Sequence, residues 1–324
     1  MPDATRASVK KVSLQERSLP VGNIVGINGY RVNRATLRKS IEDEGYVIHE
    51  TPHFFVVIRS MFPSVIVIHW FAPAEIDARI GDYILQELQP LGVLTDVEDF
   101  DAVFGAVIGS LFPHEAQQAW SLYTTNTFQH LRNLTYRTSP LSLDSTPHTF
   151  ATLYRRVFAL QVGTSFLDAG CSSGFLPLLI AEHVPSLIHV VGIDIRPHPF
   201  ATAQALAEEH GLKHVQFIQA DLLDNTLYTL GSFDTITLLH VLEHFPEKAM
   251  YTVLTNLLAI TGQRLIIAVP YEYGTPEKAY GHEQLFSREK LEAVGRWCLQ
   301  QWHKQGTMRY EDCADGLLVL ERTR

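Results

Sequence analysis

The sequence predicts an α/β protein in two parts: a doubly wound, mainly parallel sheet closed by an antiparallel hairpin over residues 149–324, and a smaller α+β domain over 1–148 before it. Three observations carry that expectation. At 324 residues the chain exceeds one average domain. From residue 149 onward, short apolar runs alternate with helix-length periodic runs, the pattern of a parallel sheet covered on both faces. Near the end, the dipeptide Asp315-Gly316 sits between two apolar runs, which signals a hairpin.

In the N-terminal part, Asn33 is placed to cap a helix over 34–44 that stops at Gly45. Runs at 46–50, 54–59 and 65–71 read as short strands of an antiparallel meander. Pro73 opens a helix that ends before Pro90, and apolar periodicity resumes at 100–111 and 114–131. The Ser-, Thr- and Pro-rich stretch 138–147 marks the expected boundary. Beyond a helix over 150–160 come strands at 165–168, 188–194, 215–219, 233–239 and 264–269. Helices at 175–183, 199–210, 247–260 and 288–301 accompany them, and 308–313 and 317–321 form the hairpin arms.

Composition narrows the function. Hydrophobic residues make up 46% and charged residues 19%, a globular balance. The net charge of −9 offers no excess of positive charge with which to collect phosphates, so general nucleic-acid binding is disfavoured. Residues 1–40 carry eight Lys or Arg and two Asp or Glu, whereas 41–101 carry two and twelve; this reads as a solvated basic arm before an acidic module. Cys171, Cys298 and Cys313 are odd in number and lack paired metal spacing, which excludes zinc fingers and disulfide frameworks. Residues 1–20 contain no apolar signal segment, and the most apolar stretch, 54–71, is broken by Arg59, Pro63 and His69. A cytoplasmic protein with no membrane partner is expected.

The chemistry concentrates at the strand ends. The first strand of the second domain ends in Asp168-Ala169-Gly170-Cys171-Ser172-Ser173-Gly174 and runs straight into a helix. Two glycines there let a ligand approach the backbone, and the helix N-terminus offers free N–H groups. The loop is GxxxG rather than the GxGxxG that seats a pyrophosphate. A carboxylate two residues before the first glycine repels a pyrophosphate and welcomes an ammonium. Asp194 ends the second strand, 20 residues after Gly174, where a carboxylate reaches ribose hydroxyls. Asp221 ends the third, where an adenine amino group finds an acceptor. Ammonium, ribose and adenine are all parts of S-adenosylmethionine.

With the ordered set DAGCSSG, GID, ADL, FDTITLLHVLEH and LIIAVP, residues 149–324 resemble the class I S-adenosylmethionine-dependent methyltransferases, a family with a Rossmann-like fold. The resemblance implies S-adenosyl-L-methionine as cofactor. It places Asp168 near the methionine end, Asp194 on the ribose and Asp221 facing adenine. Gly170, Cys171 and Gly174 shape the loop, Ile195 and Leu222 wall the base, and Leu239 and His240 border the methionine.

On the acceptor side, the segments His240-Val241-Leu242-Glu243-His244, Val269-Pro270-Tyr271-Glu272-Tyr273 and Tyr280-Gly281-His282 all fall at the carboxyl edge. They resemble two subgroups, the O-methyltransferases of ubiquinone-biosynthesis type and the small-RNA 2′-O-methyltransferases. In the RNA enzymes an ExxEH element and a distant histidine bind a divalent ion. Here His240 replaces the first glutamate, a departure that leaves any metal ligands unassigned. His282 is the preferred general base, because an imidazole exchanges protons near neutrality, with His244 and Glu243 as the other catalytic candidates. Tyr271, Tyr273, Tyr280 and Trp297 are candidates for an aromatic acceptor pocket. The expectation is O-methylation of a small-molecule metabolite, with residues 1–148 as a lid, a substrate-binding module or a homodimerisation module. An RNA or protein methyltransferase, and a non-catalytic cofactor-binding scaffold, are the alternatives.

Overall fold

The computed structural model describes residues 24–323 apart from 30, 32, 44, 60–63, 138–140, 144, 198, 273 and 303–304. Most of the basic arm therefore lies outside the described residues, as do Pro63 and Tyr273. Two compact units divide the chain, residues 1–123 and 124–324. The division falls inside α4 (Ala116–Thr135), ahead of the boundary expected at 148/149. The second half of that helix goes with the C-terminal unit because Phe128 and Leu131 are buried in its core, and because Arg132 donates to Glu182 at 2.9 Å, with the Tyr136 hydroxyl donating to the same carboxylate.

In the N-terminal unit, β1 (Ile24–Asn28), β2 (Ile48–Glu50), β3 (Phe54–Arg59) and β4 (Ser64–His69) form one sheet in the order β1-β4-β3-β2. The meander β2-β3-β4 is antiparallel as expected, while β1, which the sequence reading did not anticipate, pairs parallel to β4. Alternation sends Phe54, Val56 and Val67 to one face, against α2 (Arg79–Leu88) and α3 (Val97–Gly109). Phe55, Val57, Ile66 and Ile68 go to the other, against Leu37 and Ile41 of α1 (Arg34–Asp43). Asn33 caps α1 as expected, its Oδ1 accepting from Thr36 N at 3.0 Å. Pro73 opens only a 3-10 turn, and α2 begins after it.

The C-terminal unit carries β5 (Ser165–Ala169), β6 (His189–Asp194), β7 (Val215–Gln219), β8 (Phe233–Leu239), β9 (Thr261–Val269), β10 (Gly306–Cys313) and β11 (Asp315–Arg322). They line up as β10-β11-β9-β8-β5-β6-β7. Strands β5 to β9 are mutually parallel, and β11 runs against both of its neighbours. One face is covered by α5 (Thr146–Leu160), α6 (Phe175–His183) and α7 (Phe200–Glu209), the other by α8 (Glu247–Ile260) and α9 (Arg288–Gln301). With both faces buried, strands such as Leu265-Ile266-Ile267-Ala268-Val269 are apolar throughout. Sequence order reverses between β5 and β8, and a crevice at such a switch point is where open sheets take ligands.

The hairpin turns one position earlier than its Asp-Gly signal suggests. Cys313 pairs with Asp315, so the reversal is carried by Ala314 at φ 63°, and Asp315-Gly316 already belong to β11. Gly316 serves close packing instead, since a Cβ there would collide with the Tyr271 hydroxyl. No helix among the described residues is long and apolar enough to cross a membrane.

Candidate active site

The glycine loop between β5 and α6 is built by its backbone. Gly170 sits at φ 79° with its N–H on Ile193 O at 2.8 Å, and a Cβ would come within 2.5 Å of Val241 Cγ2. Gly174, at φ 77°, caps α6 where a Cβ would overlap the Phe217 ring. Between them Ser172 also adopts a left-handed φ of 48°, which no sequence motif marks, and its N–H donates to Asp194 Oδ2 at 2.9 Å. The Cys171 side chain is buried, and burial pushes its thiol pKa up, so this residue shapes the loop without presenting sulfur to it.

Asp168, at the end of β5, is 5% exposed. Burial, with a smaller push from Asp194, raises its pKa to about 7 even though the Thr237 hydroxyl donates to Oδ1 at 2.7 Å. Thr237, buried on β8, is thus a partner that no motif revealed. A buried carboxylate held near neutrality favours a cationic neighbour. At the end of β6, Asp194 accepts Ser172 N–H on one oxygen and Arg196 N–H on the other at 2.9 Å, which fixes the carboxylate plane at the carboxyl edge. Past β7, Asp221 is exposed and caps its own turn, its Oδ1 accepting Leu223 N–H at 2.9 Å. Leu222, expected to wall the base, packs into the core at 6% exposure; the open apolar side chains beside these acids are Ile195 and Leu223.

Beyond the fourth parallel strand, β8, the chain turns sharply. His240 takes φ 53° with its N–H on Ala268 O, which swings the following turn over the sheet edge. Its Nε2 lies 2.8 Å from Asp315 Oδ2 and its Nδ1 lies 3.9 Å from Glu243 Oε1. Burial opposes the charged ring, yet the bond to Asp315 and the charges of Glu243, Asp315 and Glu272 together raise its pKa. Asp315, read from sequence only as a turn residue, is therefore its anchor.

The three catalytic candidates come together: Glu243, His244 and His282 each offer one donor atom, and these lie within 4.8 Å of one another. Glu243 is 1% exposed, and neither carboxylate oxygen has a hydrogen-bond partner. Burial raises its pKa to about 7 against the pull of His240. His282 is buried with Nδ1 2.6 Å from Glu272 Oε1, while the exposed His244 places Nδ1 3.3 Å from Gly281 O. Two imidazoles and a carboxylate are also a donor set that a borderline divalent cation could take, with His240 outside it. Of the aromatic candidates, Tyr280 stands beside His282 at a ring separation of 5.9 Å. Tyr271 donates to the Tyr310 hydroxyl, and Trp297 packs on Tyr251, both against the core.

Residues 160–312 match the family model described as a methyltransferase domain, over the strands and loops that hold these acids. This chain carries a class I S-adenosylmethionine-dependent methyltransferase domain. Over 114 residues it is 37% identical to the ubiquinone biosynthesis O-methyltransferase of Nitrosococcus oceani, covering 35% of this chain and 43% of that protein. Over 104 residues it is 34% identical to the ajmaline N-methyltransferase of Rauvolfia serpentina, covering 32% and 35%. The chain thus spans less than half the length of these relatives. Among solved structures, the magnesium protoporphyrin IX methyltransferase of Synechocystis PCC 6803 with bound SAH aligns at TM-score 0.44 and 21% identity, over 60% of this chain and 94% of that one.

Proposed function

We propose that this protein transfers a methyl group from S-adenosylmethionine to a hydroxyl oxygen of a small molecule. The observation that carries the reading is Glu243, a buried carboxylate with two unpartnered oxygens, grouped with His244 and His282 on the same sheet edge as Asp168, Asp194 and Asp221. A buried acceptor left unpaired costs about 1–3 kcal/mol, so a site that keeps one is built for a group that arrives with a ligand. The O-methyltransferase relatives support an oxygen acceptor, and the negative net charge supports a small molecule over a polyanion.

When bound, S-adenosylmethionine supplies an electrophilic methyl group on a sulfonium. The protein's own work is alignment and proton handling. Asp168 receives the ammonium, Asp194 the ribose hydroxyls, and Asp221 the adenine edge between Ile195 and Leu223. Glu243 accepts a hydrogen bond from the acceptor and orients it. His282, its Nδ1 turned to Glu272, has Nε2 left to take the hydroxyl proton. Residues 1–148 then serve as a lid, a substrate-binding module or a dimerisation module.

Incubation with a methyl-labelled cofactor and matched panels of hydroxylated and amino small molecules, followed by mass spectrometry, tests the reading. Labelled methyl ethers whose formation needs His282 support it. Label found on amines or on RNA rejects it.

A further inference from the structure

We propose that Glu272 is the positioning residue for His282: its carboxylate holds the ring with the proton on Nδ1, so that Nε2 is the basic nitrogen turned to the acceptor. This rests on the reading of His282 as proton acceptor. Glu272 directly follows Tyr271 past the end of β9 and is not among the catalytic candidates His282, His244 and Glu243 that the sequence suggests.

The geometry is specific. Glu272 Oε1 lies 2.6 Å from His282 Nδ1, and Oε2 accepts the Glu277 N–H at 3.1 Å. An ionised carboxylate only accepts hydrogen bonds, so a neutral His282 ring in this contact must carry its proton on Nδ1. Both partners sit on one loop that closes on itself. His282 N–H returns to Glu277 O at 3.1 Å, and Lys278 Nζ donates to His282 O at 3.1 Å. The loop therefore fixes carboxylate and imidazole together rather than leaving them to meet by chance.

The neighbouring histidines set the contrast. His240 spends Nε2 on Asp315, and His244 meets only a carbonyl through Nδ1. Of these three rings, His282 is the one that spends Nδ1 on a hydrogen bond to a carboxylate, which leaves Nε2 for the acceptor, and it belongs to the cluster with Glu243 and His244. A free imidazole prefers its proton on Nε2, the tautomer that cannot accept a proton there. Holding the other tautomer is the function the contact performs.

The test is nitrogen NMR of the full chain labelled in histidine, at a pH where the ring is neutral, with the His282 signals identified by their loss in His282→Gln. Wild type should show a protonated Nδ1 and an unprotonated Nε2, and Glu272→Ala should move the proton to Nε2. With the hydroxylated acceptor that turns over in the product screen, Glu272→Ala should lower kcat about 10- to 100-fold at unchanged KM for the cofactor, as loss of an orienting partner does. Glu272→Gln, which keeps an oxygen acceptor at the same reach, should recover the tautomer and most of the turnover.

A wild-type ring protonated on Nε2 overturns the proposal, and that spectrum needs no variant to fold. So does an unchanged tautomer in Glu272→Ala. If His282→Ala itself leaves kcat intact, the reading of His282 as base fails. If His282→Ala lowers kcat while Glu272→Ala does not, only the positioning role fails.

Discussion

Replacing Asp168 with asparagine should stabilise the unliganded protein while weakening its hold on the cofactor. In the folded state Asp168 is buried and its pKa is raised to about 7, against 3.8 for an ordinary aspartate. The folded chain therefore binds this proton more tightly than the unfolded chain. Stability from this group is highest below pH 4, falls as pH rises toward 7, and stays at its lowest above that. A gap of about three pH units corresponds to a ceiling of about 4 kcal/mol at pH 8. Asparagine keeps an oxygen for the Thr237 hydroxyl and carries no charge to desolvate. Recovering only 1 kcal/mol would raise Tm by about 2–4 °C for a unit of this size.

The same substitution removes the charge proposed to receive the cofactor ammonium, worth about 1.5–3 kcal/mol, so affinity should drop about 10- to 150-fold. Thermal denaturation from pH 3.5 to 8, with calorimetric titration of S-adenosylhomocysteine, reads both effects. The Tm difference between variant and wild type should be near zero below pH 4, grow between pH 4 and 7, and level off above that. A variant less stable than wild type at pH 8, or one with unchanged affinity, would refute the reasoning.

Three further outcomes are expected. Asp194→Ala should weaken cofactor binding strongly, since two ribose hydroxyls lose a charged acceptor worth about 1.5–3 kcal/mol per bond, while the fold survives; unchanged affinity in calorimetry would place the ribose elsewhere. His282→Ala should lower turnover by about 10²-fold or more at nearly intact cofactor affinity, whereas a parallel loss of both in steady-state assays would make His282 a structural latch. Exhaustive chelation should leave activity unchanged, because the proposed function has Glu243 and His282 act on the hydroxyl directly; loss of activity restored by one divalent cation would make the cluster a metal centre.

Much of the C-terminal unit was legible because its signals are local. A parallel strand buried on both faces reads as an apolar run, a helix start after Gly174 reads from its glycine, and acids at strand ends stand out by position. The N-terminal meander was legible for the same reason, since Phe54 to Val57 and Ile66 to Ile68 are buried on both faces and read as short apolar runs. What escaped depends on distant contacts. β1 is five residues whose pairing with β4 is set by tertiary context, and no cap or turn announces it. Thr237 and Asp315 meet Asp168 and His240 from distant strands, Glu272 meets His282 only through the fold of their loop, and sequence spacing does not report such meetings. Leu222 and Leu223 show the limit of one residue's resolution, for the Asp221 turn sends the first inward and the second outward. The division between the two compact units leaves no mark in the sequence because α4 runs through it without a break.

Calorimetric titration of the purified chain with S-adenosylmethionine, S-adenosylhomocysteine and NAD, side by side, tests the central claim most directly. The acid at the β5 loop and the GxxxG turn predict that both sulfur nucleotides bind, with similar affinities, and that NAD does not. Binding of NAD, or failure of both sulfur nucleotides to bind, would contradict the assignment of the Asp168, Asp194 and Asp221 frame.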